Sequence, residues 1–186
     1  NNCIYYQFEE ISTMDRDVFK INLDGSKKSR LNTNKGTTSF HFSKTFDYYI
    51  EEHTTANQPL SVSLYKANGE LVRALEDNSG LKENMQKYNW VEKEFFTLKA
   101  EDGTKLNAWM IKPANFKKRK KYPVLMYVYG GPGSQTVLND WDHNMGWWQM
   151  LAQQGYIIVS VDNRGTGARG RDFRQVTYGQ LGKYEA

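Results

Sequence analysis

Cysteine is almost absent from this 186-residue chain, and so are long apolar segments. With Cys3 as the sole cysteine, no internal disulfide can form. No apolar stretch is long enough to span a bilayer, and no signal peptide is visible. The sequence starts with Asn1 instead of Met, so we expect it to be part of a longer protein.

Recognisable catalytic and ligand-binding signatures are also missing. No serine lies in the GxSxG pattern of a hydrolase nucleophile, since Pro132 and Thr136 stand where Ser134 would need glycines. The phosphate-loop patterns GxGxxG and GxxxxGK[ST] do not occur. The histidines lack the spacing of metal ligands, so we predict neither a metal nor a cofactor. Of these three, His143 alone is retained as a minor functional candidate, and strand positions are favoured for the others: His41 and His53.

What is present indicates a folded, strand-rich protein. Hydrophobic residues make up 39% of the chain and aromatic residues 14%, which excludes disorder and favours β-strands. The net charge is +4, and the densest basic run covers residues 117–121. No aromatic residue interrupts this run, so we interpret it as a solvated loop and predict no nucleic-acid partner.

The first part of the chain has the pattern of short strands joined by tight turns. Asp24-Gly25 and Asn68-Gly69 are turn dipeptides, and a short helix is predicted from Asn78 or Ser79 to Gln86. This spacing indicates a sandwich or propeller blades, although no Trp-Asp repeat decides between them. The predicted strands cover residues 3–8, 17–23, 39–43, 46–52, 59–65 and 71–76.

The sequence pattern changes near residue 90 from short strands with tight turns to longer apolar runs, and we place a domain boundary there. A hairpin is predicted from 91–98 and 105–112, followed by two apolar runs at 122–129 and 156–161. Unbroken apolar runs are typical of parallel strands buried on both faces, and residues 146–154 have room for a helix between them. The second part is therefore predicted to contain a βαβ unit.

Two polar, glycine-rich segments follow the apolar runs. In VYGGPGSQ, at 128–135, the glycines allow either a plain tight turn or a turn that binds an oxyanion, with Tyr129 offering its hydroxyl. In DNRGTG, at 162–167, we favour a structural role for Arg164 over substrate binding, and Asp162 is a weak candidate for an acid. The tryptophans near these segments are interpreted as core or interface residues: Trp141, Trp147 and Trp148.

Taken together, these segments resemble those of the prolyl oligopeptidase family, and in particular of its dipeptidyl peptidase IV-like members. VYGGPGSQ after a buried strand and DNRGTG after the next strand resemble successive elements of the family's catalytic domain. LGKYE at 181–185 resembles the segment before the nucleophile helix. LEDNS at 75–79, with Leu81, resembles the junction between propeller and catalytic domain.

The resemblance implies a mixed α and β fold. Residues 1–90 would be the last antiparallel strands of a β-propeller with an exit helix, and 91–186 the N-terminal portion of an α/β-hydrolase domain. It implies that Tyr129 helps bind the oxyanion and that Gln135 lies near the leaving group. The catalytic Ser, Asp and His would lie after Ala186, so the chain alone should be inactive.

The implied substrate is a peptide cut after a proline near its amino terminus, with release of dipeptides or tripeptides. By the same analogy the parent protein would be a homodimer in the periplasm or at the cell surface. Two other hypotheses stay open: a related hydrolase, such as an acylaminoacyl peptidase or an esterase, and a non-catalytic, peptidase-like binding protein.

Overall fold

The computed structural model describes residues 2–185, which form two compact units. Unit 1 extends to Gln86 and also includes the segment Asn139–Trp141. Unit 2 consists of Lys87–Leu138 and the chain from Asp142 onward. No helix among residues 2–185 is long and apolar enough to cross a membrane.

Unit 1 is built from two antiparallel sheets whose strands follow one another in chain order. The smaller sheet contains β1 (Cys3–Phe8), β2 (Asp17–Asn22) and β3 (Ser29–Arg30). The larger is a four-stranded meander, the form of a propeller blade. Its strands are β4 (Thr37–Phe42), β5 (Tyr48–Thr55), β6 (Gln58–Lys66) and β7 (Leu71–Glu76), and α1 (Ser79–Lys87) follows. The six predicted strands and the predicted helix are confirmed.

Stacked aromatic rings hold the larger sheet of unit 1 together. The ring centroids of Phe40 and Tyr49 lie 4.3 Å apart, and those of Tyr49 and Tyr65 lie 5.3 Å apart. Tyr49 is 9% exposed. Burial, reinforced by the charges of Glu51 and Tyr65, raises the pKa of Tyr49 to about 12.

Asn139 fixes its short segment into unit 1 with both its backbone and its side chain. Its amide N–H donates to the carbonyl of Met14 at 2.9 Å, and its Nδ2 donates to Asp15 Oδ1 at 2.8 Å. Its Oδ1 accepts the N–H of Ala56 at 3.0 Å. The loop that follows β10 therefore continues into a segment that belongs to the other unit.

Unit 2 contains a mixed sheet in the order β10-β11-β9-β8. The hairpin β8–β9 is antiparallel. Strands β10 and β11 pair in parallel and are connected through α2, which confirms the predicted βαβ unit. A short helix, α3, was not predicted. The elements are β8 (Glu94–Lys99), β9 (Lys105–Ile111), β10 (Val124–Tyr127), α2 (Met145–Gln153), β11 (Ile157–Val161) and α3 (Arg171–Gln175).

The core of unit 2 lies between the sheet and α2. Trp109 and Ile158 are fully buried, and Trp148 of α2 packs 6.3 Å from the Trp109 ring. The indole Nε1 of Trp109 donates to the carbonyl of Thr136 at 2.9 Å, so this buried ring also holds the loop after β10. Trp148 is thus a core residue, whereas Trp147 is 53% exposed.

The prediction that run 122–129 is buried on both faces is wrong. Strand β10 is shorter than the run, and it is an edge strand that pairs with β11 alone. Val124 and Met126 are 59% and 61% exposed, because α2 covers the opposite face of the sheet and no described residue covers theirs. The basic residues 117–121 are exposed in the loop before β10.

Candidate functional site

The loops after β10 and β11 meet at one edge of the sheet in unit 2. Because the two strands are parallel neighbours, their carboxyl ends lie side by side. Ligands of open α/β sheets bind at this edge. The predicted segments VYGGPGSQ and DNRGTG are therefore brought together in space.

The carboxylate of Asp162 is the centre of this junction. It is 1% exposed, and its Oδ1 accepts the backbone N–H of Thr136 at 2.8 Å and of Val137 at 3.1 Å. The Thr136 hydroxyl lies 3.2 Å from the same oxygen and 2.8 Å from Ser160 Oγ. These contacts join the end of one loop to the start of the other.

Backbone contacts add to this junction and explain the glycines. The N–H of Gly133 donates to the carbonyl of Gly165 at 2.9 Å. Gly165 has φ +92°, where a side chain is strained, and a Cβ there would lie 2.8 Å from Thr177 Cγ2 and 3.3 Å from Pro132 Cβ of the other loop. A Cβ on Gly167 would lie 3.1 Å from the carbonyl oxygen of Gly133. The two loops approach too closely for larger residues.

Tyr129 lies beyond the end of β10 and is 58% exposed. Its ring packs against Gly131, where a Cβ would stand 3.2 Å from Tyr129 Cε1. Within residues 2–185 its hydroxyl forms no hydrogen bond, so the O–H is available to a ligand. An exposed phenol beside a glycine turn can donate to a developing negative charge.

Gln135 and Arg164 are both engaged by acidic side chains. The Gln135 Nε2 lies 3.4 Å from Asp162 Oδ2, so its amide is directed toward the junction. Arg164 pairs through Nη1 with Asp102, and its guanidinium stacks 4.6 Å from the Tyr184 ring. The structural role of Arg164 in its loop and the position of Gln135 near the leaving group remain predictions.

The histidines lie apart from this junction or at the surface. His41 and His53 are on strands β4 and β5 of unit 1, as expected, and Nδ1 of His53 is 2.9 Å from the Thr38 hydroxyl. His143 is exposed beside Asp142. Among residues 2–185, no group of three or more His, Cys, Asp or Glu side chains is arranged to hold a metal ion.

Sequence reasoning missed the hydrogen-bond network around Asp162. It considered Asp162 only as an acid, and it did not single out Thr136 or Asn139. The partners of Asp162 are 25 and 26 residues away in the sequence, and such pairs leave no local pattern. The one usable signal was the position of an aspartate immediately after a buried strand.

Two family profiles match the chain. The profile of the prolyl oligopeptidase family matches residues 142–186, and that of the dipeptidyl peptidase IV N-terminal region matches residues 1–60. The chain aligns over its whole length with proteins named probable dipeptidyl-aminopeptidase B. It is 34% identical to that of Arthroderma otae over 190 residues and 34% identical to that of Sclerotinia sclerotiorum over 191 residues.

A solved structure has the same fold over nearly all of the chain. The crystal structure of Porphyromonas gingivalis dipeptidyl peptidase 4 superposes with a TM-score of 0.90 and 40% sequence identity, covering 98% of this chain. The chain spans 20% of the length of the two curated relatives and 26% of that structure.

Proposed function

The chain belongs to the prolyl oligopeptidase family, and from this we propose that it is part of a serine exopeptidase releasing N-terminal dipeptides after proline. Tripeptide release is the nearest variant. The relatives named dipeptidyl-aminopeptidase B and dipeptidyl peptidase 4 support the proposal, since they align with 100% and 98% of the chain.

The observation that carries the proposal is the placement of Tyr129. Its hydroxyl is exposed and unbonded among the described residues, at the sheet edge where ligands bind. Gly130, at φ +76°, leaves space beside it for a substrate backbone. This is the arrangement expected of one oxyanion donor.

In the proposed reaction, a serine hydroxyl attacks the carbonyl carbon after proline and a tetrahedral oxyanion forms. Tyr129 donates its O–H to that oxygen as the negative charge grows. The second donor would be the backbone N–H after the serine of a GxSxG motif, in a part of the full-length protein that this sequence does not contain. Collapse of the intermediate releases the amine and leaves the dipeptidyl group on the serine, and water then hydrolyses this ester.

The same proposal extends to architecture. The parallel pair β10–β11 with α2 crossing between them supports an α/β-hydrolase portion over about residues 91–186. The four-stranded meander β4–β7 supports the end of a β-propeller over residues 1–90. By family analogy we further propose a homodimeric parent protein in the periplasm or at the cell surface.

The decisive experiment compares substrates with free and blocked amino termini on the full-length protein. A dipeptidyl peptidase hydrolyses Gly-Pro-p-nitroanilide and not its N-acetylated form. An acylaminoacyl peptidase shows the reverse preference, and an esterase prefers p-nitrophenyl butyrate. A binding protein hydrolyses none of these. Loss of activity after treatment with an organophosphonate identifies the serine mechanism.

A further inference from the structure

We propose that Asp162 is the positioning residue that fixes the Tyr129 loop on the sheet. The inference deepens the proposed function and rests on it, since the loop matters to catalysis only if Tyr129 is an oxyanion donor. Asp162 itself would neither touch the substrate nor transfer a proton.

Asp162 is held rigidly where β11 ends. Its backbone N–H donates to the carbonyl of Asn107, in β9, at 3.0 Å. Its side chain is 1% exposed, so no substrate reaches it. The carboxylate is therefore fixed relative to the sheet, and a loop that bonds to it is fixed as well.

The groups that donate to Asp162 belong to the loop after Tyr129. The N–H groups of Thr136 and Val137 and the Thr136 hydroxyl meet at Oδ1, and the Gln135 amide lies near Oδ2. Hydrogen bonds to a carboxylate are stronger than those between neutral groups. Val137 is fully buried, so its N–H would have no water to replace a lost acceptor.

The other contacts of the loop do not duplicate this anchor. The bonds from Gly133 to Gly165 and from Asn163 Nδ2 to the Gly131 carbonyl, at 2.9 and 3.3 Å, hold the middle of the turn. At the end of the loop, Asp162 accepts the N–H groups of Thr136 and Val137, whereas Trp109 donates to the Thr136 carbonyl instead. Without its acceptor the turn would relax, and the Tyr129 hydroxyl would shift.

Two conservative variants separate this role from that of a charge or an acid. Asp162→Asn retains an oxygen that accepts both N–H groups, whereas Asp162→Glu retains the charge but moves it by one methylene. A positioning role predicts that kcat falls at most about threefold in Asp162→Asn. In Asp162→Glu and Asp162→Ala it should fall about 30- to 100-fold, because a misplacement near 1 Å costs about 100-fold. KM should change little in all three.

The control is Asp24→Ala, which removes an exposed carboxylate that also accepts a backbone N–H, from Ser26 at 2.9 Å in unit 1. Its kcat should equal that of the wild type. The assay is hydrolysis of Gly-Pro-p-nitroanilide by the full-length variants. Hydrogen exchange at the amides of Thr136 and Val137 is measured in parallel, with protection retained in the Asn variant and lost in the Ala variant.

Wild-type activity and the exchange measurement together distinguish failure of this inference from failure of the proposed function. If the full-length wild type does not hydrolyse Gly-Pro-p-nitroanilide, the proposed function fails. If it does and the amides behave as predicted but no variant alters kcat, the link from Asp162 to catalysis is overturned while the proposed function stands. If Asp162→Asn is folded yet as inactive as Asp162→Ala, or less active than Asp162→Glu, the positioning role is overturned. If Ala and Glu fail to fold, retention or loss of kcat in the Asn variant decides alone.

Discussion

Replacing Gly131 by alanine should move the Tyr129 ring without damaging the fold. Gly131 does not have the positive φ of its neighbour Gly130, so its backbone accepts a side chain. The added Cβ would lie 3.2 Å from Tyr129 Cε1, 3.7 Å from Cδ1 and 3.9 Å from Cζ. These three nearest atoms all belong to the Tyr129 ring, so it is the ring that must give way.

The size of the effect follows from these distances. Carbon atoms prefer a separation of about 3.5–4.0 Å, so the ring edge must shift by about half an ångström. A displacement of 1 Å near the reaction centre costs about 100-fold, so a shift of half that size should lower kcat by about 3- to 10-fold. Since Tyr129 is 58% exposed, the ring moves into solvent at little cost. Stability should rise by about 0.4–1 kcal/mol, because alanine restricts the unfolded chain.

The assay measures kcat and KM on Gly-Pro-p-nitroanilide, together with the thermal midpoint, for full-length Gly131→Ala. Its matched control is Gly146→Ala in α2, where a Cβ meets nothing within 4 Å and φ is not positive. Both variants should keep or raise the midpoint, and only Gly131→Ala should lose kcat. Equal kcat for the two variants would refute the reasoning that the ring is held close to the reacting carbonyl.

Three further predictions concern the chain and its stability. The 186-residue chain alone should not hydrolyse Gly-Pro-p-nitroanilide, because it holds no GxSxG nucleophile; turnover that persists through repurification would contradict this. The isolated chain should associate, because Val124 and Met126 of β10 are exposed; light scattering should show this, and a compact monomer at high concentration would count against it. Full-length protein should lose stability between about pH 10 and pH 12, because unfolded tyrosines ionise first while the pKa of Tyr49 is raised to about 12. Tyr49→Phe should reduce this fall of the thermal midpoint with pH. The control is Tyr48→Phe, at a side chain that is 45% exposed, and it should not reduce the fall. Equal slopes of thermal midpoint against pH in the two variants would disprove the prediction.

Local patterns were sufficient to predict most strands, and they failed where pairing decides the outcome. Aromatic and β-branched residues placed β1 at its observed bounds, residues 3–8, and the turn dipeptide Asn68-Gly69 placed β7 at 71–76. The apolar run 122–129 predicted a longer strand than β10, because β11 supplies partners only for Val124–Tyr127. Tyr129 consequently lies in the loop instead of at the strand end.

The site was predictable as a pair of loops but not as a network. The sequence places a glycine-rich segment after each of two apolar runs, and parallel pairing of those strands brings the two segments together. Which carboxylate joins them depends on tertiary contacts between Asp162 and Thr136 that no local spacing encodes. The inclusion of Asn139 in unit 1 has the same origin, since its partners Asp15 and Ala56 are distant in sequence.

The most direct test of the account is Tyr129→Phe in the full-length protein. The hydroxyl has no hydrogen-bond partner among the described residues, so its removal leaves no buried group unsatisfied and the thermal midpoint should stay constant. Loss of one oxyanion donor predicts a fall in kcat of about 100- to 1,000-fold, or about 3–4 kcal/mol, on Gly-Pro-p-nitroanilide. KM should change little, since the charge grows only in the transition state. A folded Tyr129→Phe variant that keeps more than about half of the wild-type kcat would contradict the account.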